Sequence, residues 1–146
     1  MGLIFTGTVV DFRPLMQVEI SGAAMDSREP VTALIDSGAT DCVIRPGLVE
    51  KLGIPITDQV HTHNIGVKGM KPICRVDIRF INPDIDRWWL AKSARAVIDE
   101  FDPCADIIIG MNVLRLVTLT FRGGVPEIEP VGAVAVLTEP ESNDVD

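Results

Sequence analysis

Apolar and polar residues alternate along most of this chain, in short stretches separated by glycine and proline. Such alternation is typical of β-strands with one buried face, and long stretches with helical periodicity are absent. The predicted strands are Leu3–Val10, Leu15–Ile20, Val31–Ile35, Val60–Ile65, Ile73–Phe80, Trp88–Ile98 and Val117–Phe121. One short helix is predicted at Pro46–Gly53, with proline in its first turn and glycine at its end. The pattern therefore predicts an all-β domain, closed or sandwich-like.

The length of the chain and its C-terminal composition set the predicted domain boundary. The 146 residues form one domain, long enough to bury roughly 70% of the unfolded surface. The final segment, Glu139–Asp146, is acidic and holds almost no core-forming residues. We therefore expect a folded domain over residues 1–131 and an acidic, disordered tail over residues 132–146.

The charge of the chain argues against several kinds of partner. The formal net charge is −8, with no basic run that could neutralise phosphates, so nucleic acid is not an expected partner. An anionic membrane surface is disfavoured for the same reason. No apolar run reaches the length of about 20 residues that crosses a bilayer. The N-terminal Met1–Thr6 loosely matches a myristoylation pattern, but we interpret it as the start of the first strand.

The cysteine content indicates a compartment. The three cysteines, Cys42, Cys74 and Cys104, are odd in number and have no paired motif spacing. They are typical of reduced, mostly buried thiols, which predicts a cytoplasmic protein.

A carboxylate stands directly after one of the predicted buried strands. Residues 33–40 read Ala-Leu-Ile-Asp-Ser-Gly-Ala-Thr, so an apolar run delivers Asp36 to a Ser37-Gly38 turn. Aspartate is unfavourable inside a strand, whereas serine and glycine favour a tight turn. The arrangement suits a carboxylate that is held rigidly at the floor of a cleft.

A second apolar run that stops at a glycine lies further along the chain. Ile107–Ile109 is followed by Gly110 and by another apolar segment that ends at Leu114. Glycine at such a position permits close approach of two backbone segments. Taken alone, this element is also consistent with a buried strand that ends in an ordinary turn.

Together, the two glycine elements resemble the active-site segments of the aspartic peptidases, specifically the single-lobe, retropepsin-like kind (clan AA). The resemblance extends over most of Gly2–Val131 and fits a cellular or bacterial branch. It implies an all-β, closed, barrel-like lobe with one or two short helices, assembled as a homodimer. In that family the two glycine elements cross beneath the active site as interlocked loops.

The resemblance implies an aspartic endopeptidase with Asp36, Ser37 and Gly38 as the catalytic residues. The chain has a single Asp-Ser-Gly, so a second carboxylate has to come from the Asp36 of another copy. An ionised and a protonated carboxylate side by side can activate a water and stabilise the developing oxyanion. In the family, Ser37 would hydrogen-bond across the dimer axis and Gly38 would admit substrate backbone. This chemistry requires no cofactor and no metal.

A glycine-rich hairpin is predicted over residues 61–71, with Val67 and Lys68 at its tip. Such a hairpin can close over an extended peptide or protein substrate and exclude water, as the family's flap does. An ordinary exposed turn is the alternative interpretation. The predicted substrate-binding residues are Ala39, Thr40, Asp41, Ile65, Gly66, Val67, Lys68 and Gly69.

Two alternative functions remain open, and one pair of positions differs from the family pattern. A catalytically silent module for dimerisation or peptide binding would preserve the same fold. A metal-dependent hydrolase is also conceivable, because a two-residue turn would place Cys74 opposite His61, beside His63. Viral members of the family carry an ion pair at the positions of Thr40 and Met111. Neither residue is charged here, which leaves the bracing of the dimer undefined.

Overall fold

The computed structural model describes residues 4–10, 13–64, 67–82, 87–101, 103–122 and 134–138. Within these ranges the chain forms eleven strands and two short helices. The strands are β1 (Ile4–Thr6), β2 (Thr8–Val10), β3 (Arg13–Gly22), β4 (Glu29–Ile35), β5 (Cys42–Ile44), β6 (Asp58–Asn64), β7 (Val67–Asn82), β8 (Arg87–Ile98), β9 (Ile107–Ile109), β10 (Thr118–Arg122) and β11 (Val134–Thr138). The helices are α1 (Pro46–Leu52) and α2 (Met111–Leu114).

A closed β-barrel forms the body of the protein. Eight strands make one sheet in the order β2-β3-β4-β9-β5-β8-β7-β6, and an additional pairing of β3 with β7 closes it on itself. The barrel therefore consists of the six strands from β3 round to β7. The predicted all-β, barrel-like fold with short helices is confirmed.

The barrel interior follows the alternation seen in the sequence. Along β3, Met16, Val18 and Ile20 are buried, whereas Gln17 between them is exposed. On the β7–β8 ribbon, the buried ring of Trp89 stacks on Phe80, with 5.2 Å between the centroids. Because successive side chains of a strand point to opposite faces, the preceding Trp88 is directed to solvent.

One predicted strand is divided in two. Residues 3–10 read as a single strand, yet β1 belongs to a small sheet with β11 and β10, and β2 belongs to the barrel sheet. Gly7 separates them. A Cβ atom at Gly7 would collide with the carbonyl oxygen of Leu15, so the chain can pass this point only without a side chain.

The predicted helix at Pro46–Gly53 is confirmed as α1. Proline occupies its first turn, and Gly53 ends it in a left-handed conformation with φ of 63°.

The C-terminal segment differs more from expectation. The five residues of β11 pair with β1 and β10, although they lie inside the segment predicted as a tail. The domain boundary at residue 131 stays a prediction.

The Asp77 carboxylate accepts hydrogen bonds from two strained points of the backbone. Ala24 and Ser93 have positive φ angles of 60° and 52°, which non-glycine residues adopt at a steric cost. The Ala24 N–H donates to Oδ2 of Asp77 at 3.2 Å, and the Ser93 N–H donates to Oδ1 at 2.7 Å. One carboxylate therefore holds both segments, at the bulge where the β7–β8 register shifts.

We expect Asp77→Ala to lower the free energy of unfolding by about 2–3 kcal/mol, because two hydrogen bonds to a charged acceptor are lost. Chemical denaturation measures the change. Asp26→Ala, at an exposed bend, is the control and should shift stability by less than about 0.5 kcal/mol. Adding Ser93→Gly to Asp77→Ala should restore part of the loss, because glycine adopts the positive φ freely. Equal stability of Asp77→Ala and Asp26→Ala would contradict this account.

Candidate active site

The arrangement of three strands places Asp36 at the end of a buried strand. Strand β9 lies between β4 and β5, parallel to the first and antiparallel to the second. The chain that leaves β4 at Ile35 must therefore pass over the end of β9 before it starts β5 at Cys42. Residues 36–41 form this crossing, which we call the catalytic turn after the role that the resemblance implies for Asp36.

Three hydrogen bonds fix Asp36 in the catalytic turn. Its N–H donates to the carbonyl of Ile109 at 3.0 Å, and its own carbonyl accepts from the N–H of Ala39 at 3.2 Å. Its Oδ1 accepts from the N–H of Gly38 at 2.8 Å. In the described part of the chain, no hydrogen bond reaches Oδ2 of Asp36. The carboxylate is thus oriented through one oxygen, with the other available to a water or a second carboxyl group.

The second glycine element interlocks with the catalytic turn. The N–H groups of Met111 and Asn112 donate to the carbonyls of Ala39 and Thr40 at 2.8 and 3.0 Å. A Cβ atom at Gly110 would collide with the carbonyl of Asp41 and lie 2.9 Å from the Ala39 oxygen. The two segments cross in backbone contact, as the resemblance implied, and the contact explains why a glycine stands there.

Asn112 is a buried polar residue to which the sequence analysis gave no role. Its Nδ2 donates to the carbonyl of Arg95 at 2.9 Å, and its Oδ1 accepts from the thiol of Cys42 at 3.3 Å. Burial raises the pKa of Cys42 to about 12, so this thiol stays protonated at neutral pH and remains a donor. The only sequence signal for this role is a lone amide inside an apolar run.

An ion pair inside the chain neutralises Asp41. Nε of Arg95, on β8, lies 3.4 Å from Oδ2 of Asp41, and both side chains are about two-thirds buried or more. Nε is itself buried and makes no hydrogen bond among the described residues, so the contact is purely electrostatic. Sequence reasoning placed Asp41 beside the site but did not identify Arg95. An ion pair is thus present beside the site between Asp41 and Arg95, although the positions of Thr40 and Met111, which form the ion pair in viral members, are uncharged here.

The flap-like hairpin is present, but its tip differs from the prediction. Strands β6 and β7 pair in antiparallel fashion up to Asn64 and Val67. Val67 and Lys68 therefore lie on the second strand, and their assignment to the tip is wrong. Ile65 and Gly66 lie outside the described residues. The hydrogen bonds found in the described ranges join the catalytic turn to residues 109–112 and do not connect it to the hairpin.

The pairing of β6 with β7 also corrects the conceivable metal triad. His61 lies opposite Met70 and His63 opposite Lys68, so the expected position of Cys74 opposite His61 is wrong. Among the residues that the structure describes, no group of three metal-binding side chains is found.

A closed β-barrel crossed by two interlocked glycine loops, one carrying an aspartate, defines a retropepsin-like protein. A family model described as "Aspartyl protease" matches residues 16–113, more than half of the chain. The chain belongs to this aspartyl protease family. No curated protein matches the sequence.

Two solved structures are similar to this chain, and the first of them supports the same fold. A retropepsin-like aspartic protease from Rickettsia conorii is 15% identical, with a TM-score of 0.54 over 95% of this chain and 91% of that one. The retroviral protease-like domain of Ddi1 from Leishmania major is 18% identical, with a TM-score of 0.38 over 71% of this chain and 78% of that one. At such identities the first likeness establishes the fold alone. No helix within the described ranges is long and apolar enough to span a membrane.

Proposed function

We propose that this protein is an aspartic endopeptidase, active as a homodimer in which the Asp36 carboxylates of two copies share one water. The observation that carries the proposal is the fixed orientation of Asp36. Its Oδ1 is held by the Gly38 N–H at 2.8 Å, and its backbone is anchored to Ile109 at the end of β9. Rigid placement of an acid–base group on strand ends is what catalysis of proton transfer requires.

The second carboxylate is supplied by a second copy. A single Asp-Ser-Gly occurs in the sequence, and Ser37, Gly38 and Thr40 are exposed in the isolated chain. A two-fold axis beside this turn brings Asp36 against its own symmetry mate, which completes the pair without any further residue.

The chemistry follows from two carboxyl groups at hydrogen-bond distance. Both cannot be ionised together, so the pair holds one proton. The ionised Asp36 accepts a proton from the water, whose oxygen attacks the peptide carbonyl carbon. The protonated Asp36 donates a hydrogen bond to the carbonyl oxygen as negative charge develops there, and later a proton passes to the leaving amine. No covalent enzyme intermediate forms.

The substrate of this reaction is an extended polypeptide segment. The exposed Gly38 leaves space for substrate backbone beside the carboxylates, and the predicted contacts at Ala39, Thr40 and Asp41 continue the same loop. The β6–β7 hairpin provides a strand pair that can cover the bound peptide and exclude water. Alternate side chains of the peptide would then enter pockets on either side.

The decisive test is cleavage of a diverse peptide mixture, from acidic to neutral pH and across a range of protein concentrations. We expect cleavage to be strongest at acidic pH, because one member of the pair must stay protonated. Activity per chain should rise with concentration, because only dimers are competent. Absence of cleavage from protein that sedimentation shows to be dimeric would contradict the proposal and favour a catalytically silent binding module.

A further inference from the structure

We infer that Met111 is a contact residue between the two copies, and that it holds the dimer by apolar packing and not by an ion pair. The inference rests on the proposed function, because it takes the Asp36 pair as the centre of the dimer. It adds which residue meets the partner and what physical interaction is used.

The position of Met111 follows from its backbone contact with the catalytic turn. Its N–H donates to the carbonyl of Ala39 at 2.8 Å, three residues after Asp36. Two Asp36 carboxylates can share a water only if the two catalytic turns approach within a few ångströms of each other. Any partner that reaches Asp36 in this way also lies close to Met111.

The exposure of Met111 is unusual for its element. The other residues of α2, Asn112–Leu114, are buried, whereas the Met111 side chain is 39% exposed. Methionine is enriched in the cores of protein–protein interfaces relative to the rest of the surface, so an exposed methionine beside a surface that must meet a second copy fits such a core. A flexible thioether also adapts well to an irregular facing surface.

Apart from Asp36, the charged residue of the catalytic turn is paired inside the chain. Asp41 is paired with Arg95 at 3.4 Å, and Thr40 carries no charge. The partner copy is therefore not required to neutralise any of these groups, and apolar contact remains as the source of affinity.

An apolar contact at Met111 predicts the direction in which added salt changes the affinity of the dimer. Each copy carries a formal charge of −8, so two copies repel each other at low ionic strength. Salt screens that repulsion and leaves apolar packing intact. Added sodium chloride should therefore strengthen the dimer, whereas an interface held by ion pairs would weaken.

The test measures the dimer dissociation constant by analytical ultracentrifugation of the full chain carrying Asp36→Asn, which prevents self-cleavage. Met111→Glu should raise the constant at least about tenfold, because two apolar contacts are lost and two charges must be desolvated. Met111→Leu, which conserves volume, should stay within about threefold. Glutamate suits the first turn of α2, so Met111→Glu is expected to fold, which its thermal transition verifies.

The outcomes separate this inference from the proposed function. In the active chain, Met111→Glu should lose activity at low concentration and regain it at high concentration. An unchanged dissociation constant in Met111→Glu, or a dimer that salt weakens, would overturn the role of Met111 while cleavage by the wild type stands. A Met111-dependent dimer that cleaves nothing would overturn the proposed function alone. A chain that is monomeric at every concentration would overturn both.

Discussion

When the wild-type chain is mixed with an Asp36→Asn variant, we expect the cleavage rate to fall by more than the fraction of wild-type chains that the variant replaces. Asparagine is nearly isosteric and its carbonyl oxygen can still accept the Gly38 N–H, so the catalytic turn keeps its shape. The variant alone should lose at least about a thousandfold in kcat, because neither member of the pair can exchange the required proton. At equal amounts and with random exchange, about a quarter of the dimers keep both carboxylates.

The measurement is the initial rate of peptide cleavage after equilibration at a fixed total protein concentration. Asp26→Asn, at an exposed bend outside the catalytic turn, is the matched carboxylate control and should leave the rate unchanged when mixed in the same way. A rate that falls only in proportion to the remaining wild-type chains would mean that each chain works alone. Full activity of Asp36→Asn by itself would mean that another residue carries the chemistry.

The fold was largely predictable because local patterns dominate it. Alternation along β3 marked the buried face, and the proline and glycine that bound α1 marked its ends. The division at Gly7 was not predictable, because its cause is a carbonyl of Leu15 that only the folded chain brings near. The pairing of β11 was hidden for a similar reason: a short apolar run becomes a strand only when neighbouring strands offer it hydrogen bonds.

In the candidate site, too, only the residues that are contiguous in the sequence could be predicted. Asp36, Ser37 and Gly38 are contiguous, so their turn can be recognised from a short stretch of sequence. Arg95 comes from a distant strand, and nothing in the local sequence connects it to Asp41. The tip of the hairpin was misplaced because glycines mark a turn without fixing its register, and a two-residue shift changes which residues lie opposite one another.

The interlocking of the two glycine elements leads to the second large effect, which we expect from Gly110→Ala. The φ angle of Gly110 is −99°, which alanine adopts without strain, so backbone conformation is not the obstacle. Space is the obstacle, because the added methyl group would collide with the carbonyl of Asp41 and lie 2.9 Å from the carbonyl oxygen of Ala39. Neither carbonyl can move away freely, because both belong to the catalytic turn.

Gly110→Ala should therefore lower the free energy of unfolding by about 3 kcal/mol or more. At temperatures where the variant stays folded, displacement of the catalytic turn should reduce kcat about a hundredfold. Thermal unfolding and peptide cleavage measure the two effects. Gly47→Ala, in α1, is the matched control, because a Cβ atom there meets nothing within 4 Å and alanine favours the helix. If Gly110→Ala unfolds at the same temperature as Gly47→Ala and cleaves peptides at the wild-type rate, the contact between the two loops does not hold Asp36 in place.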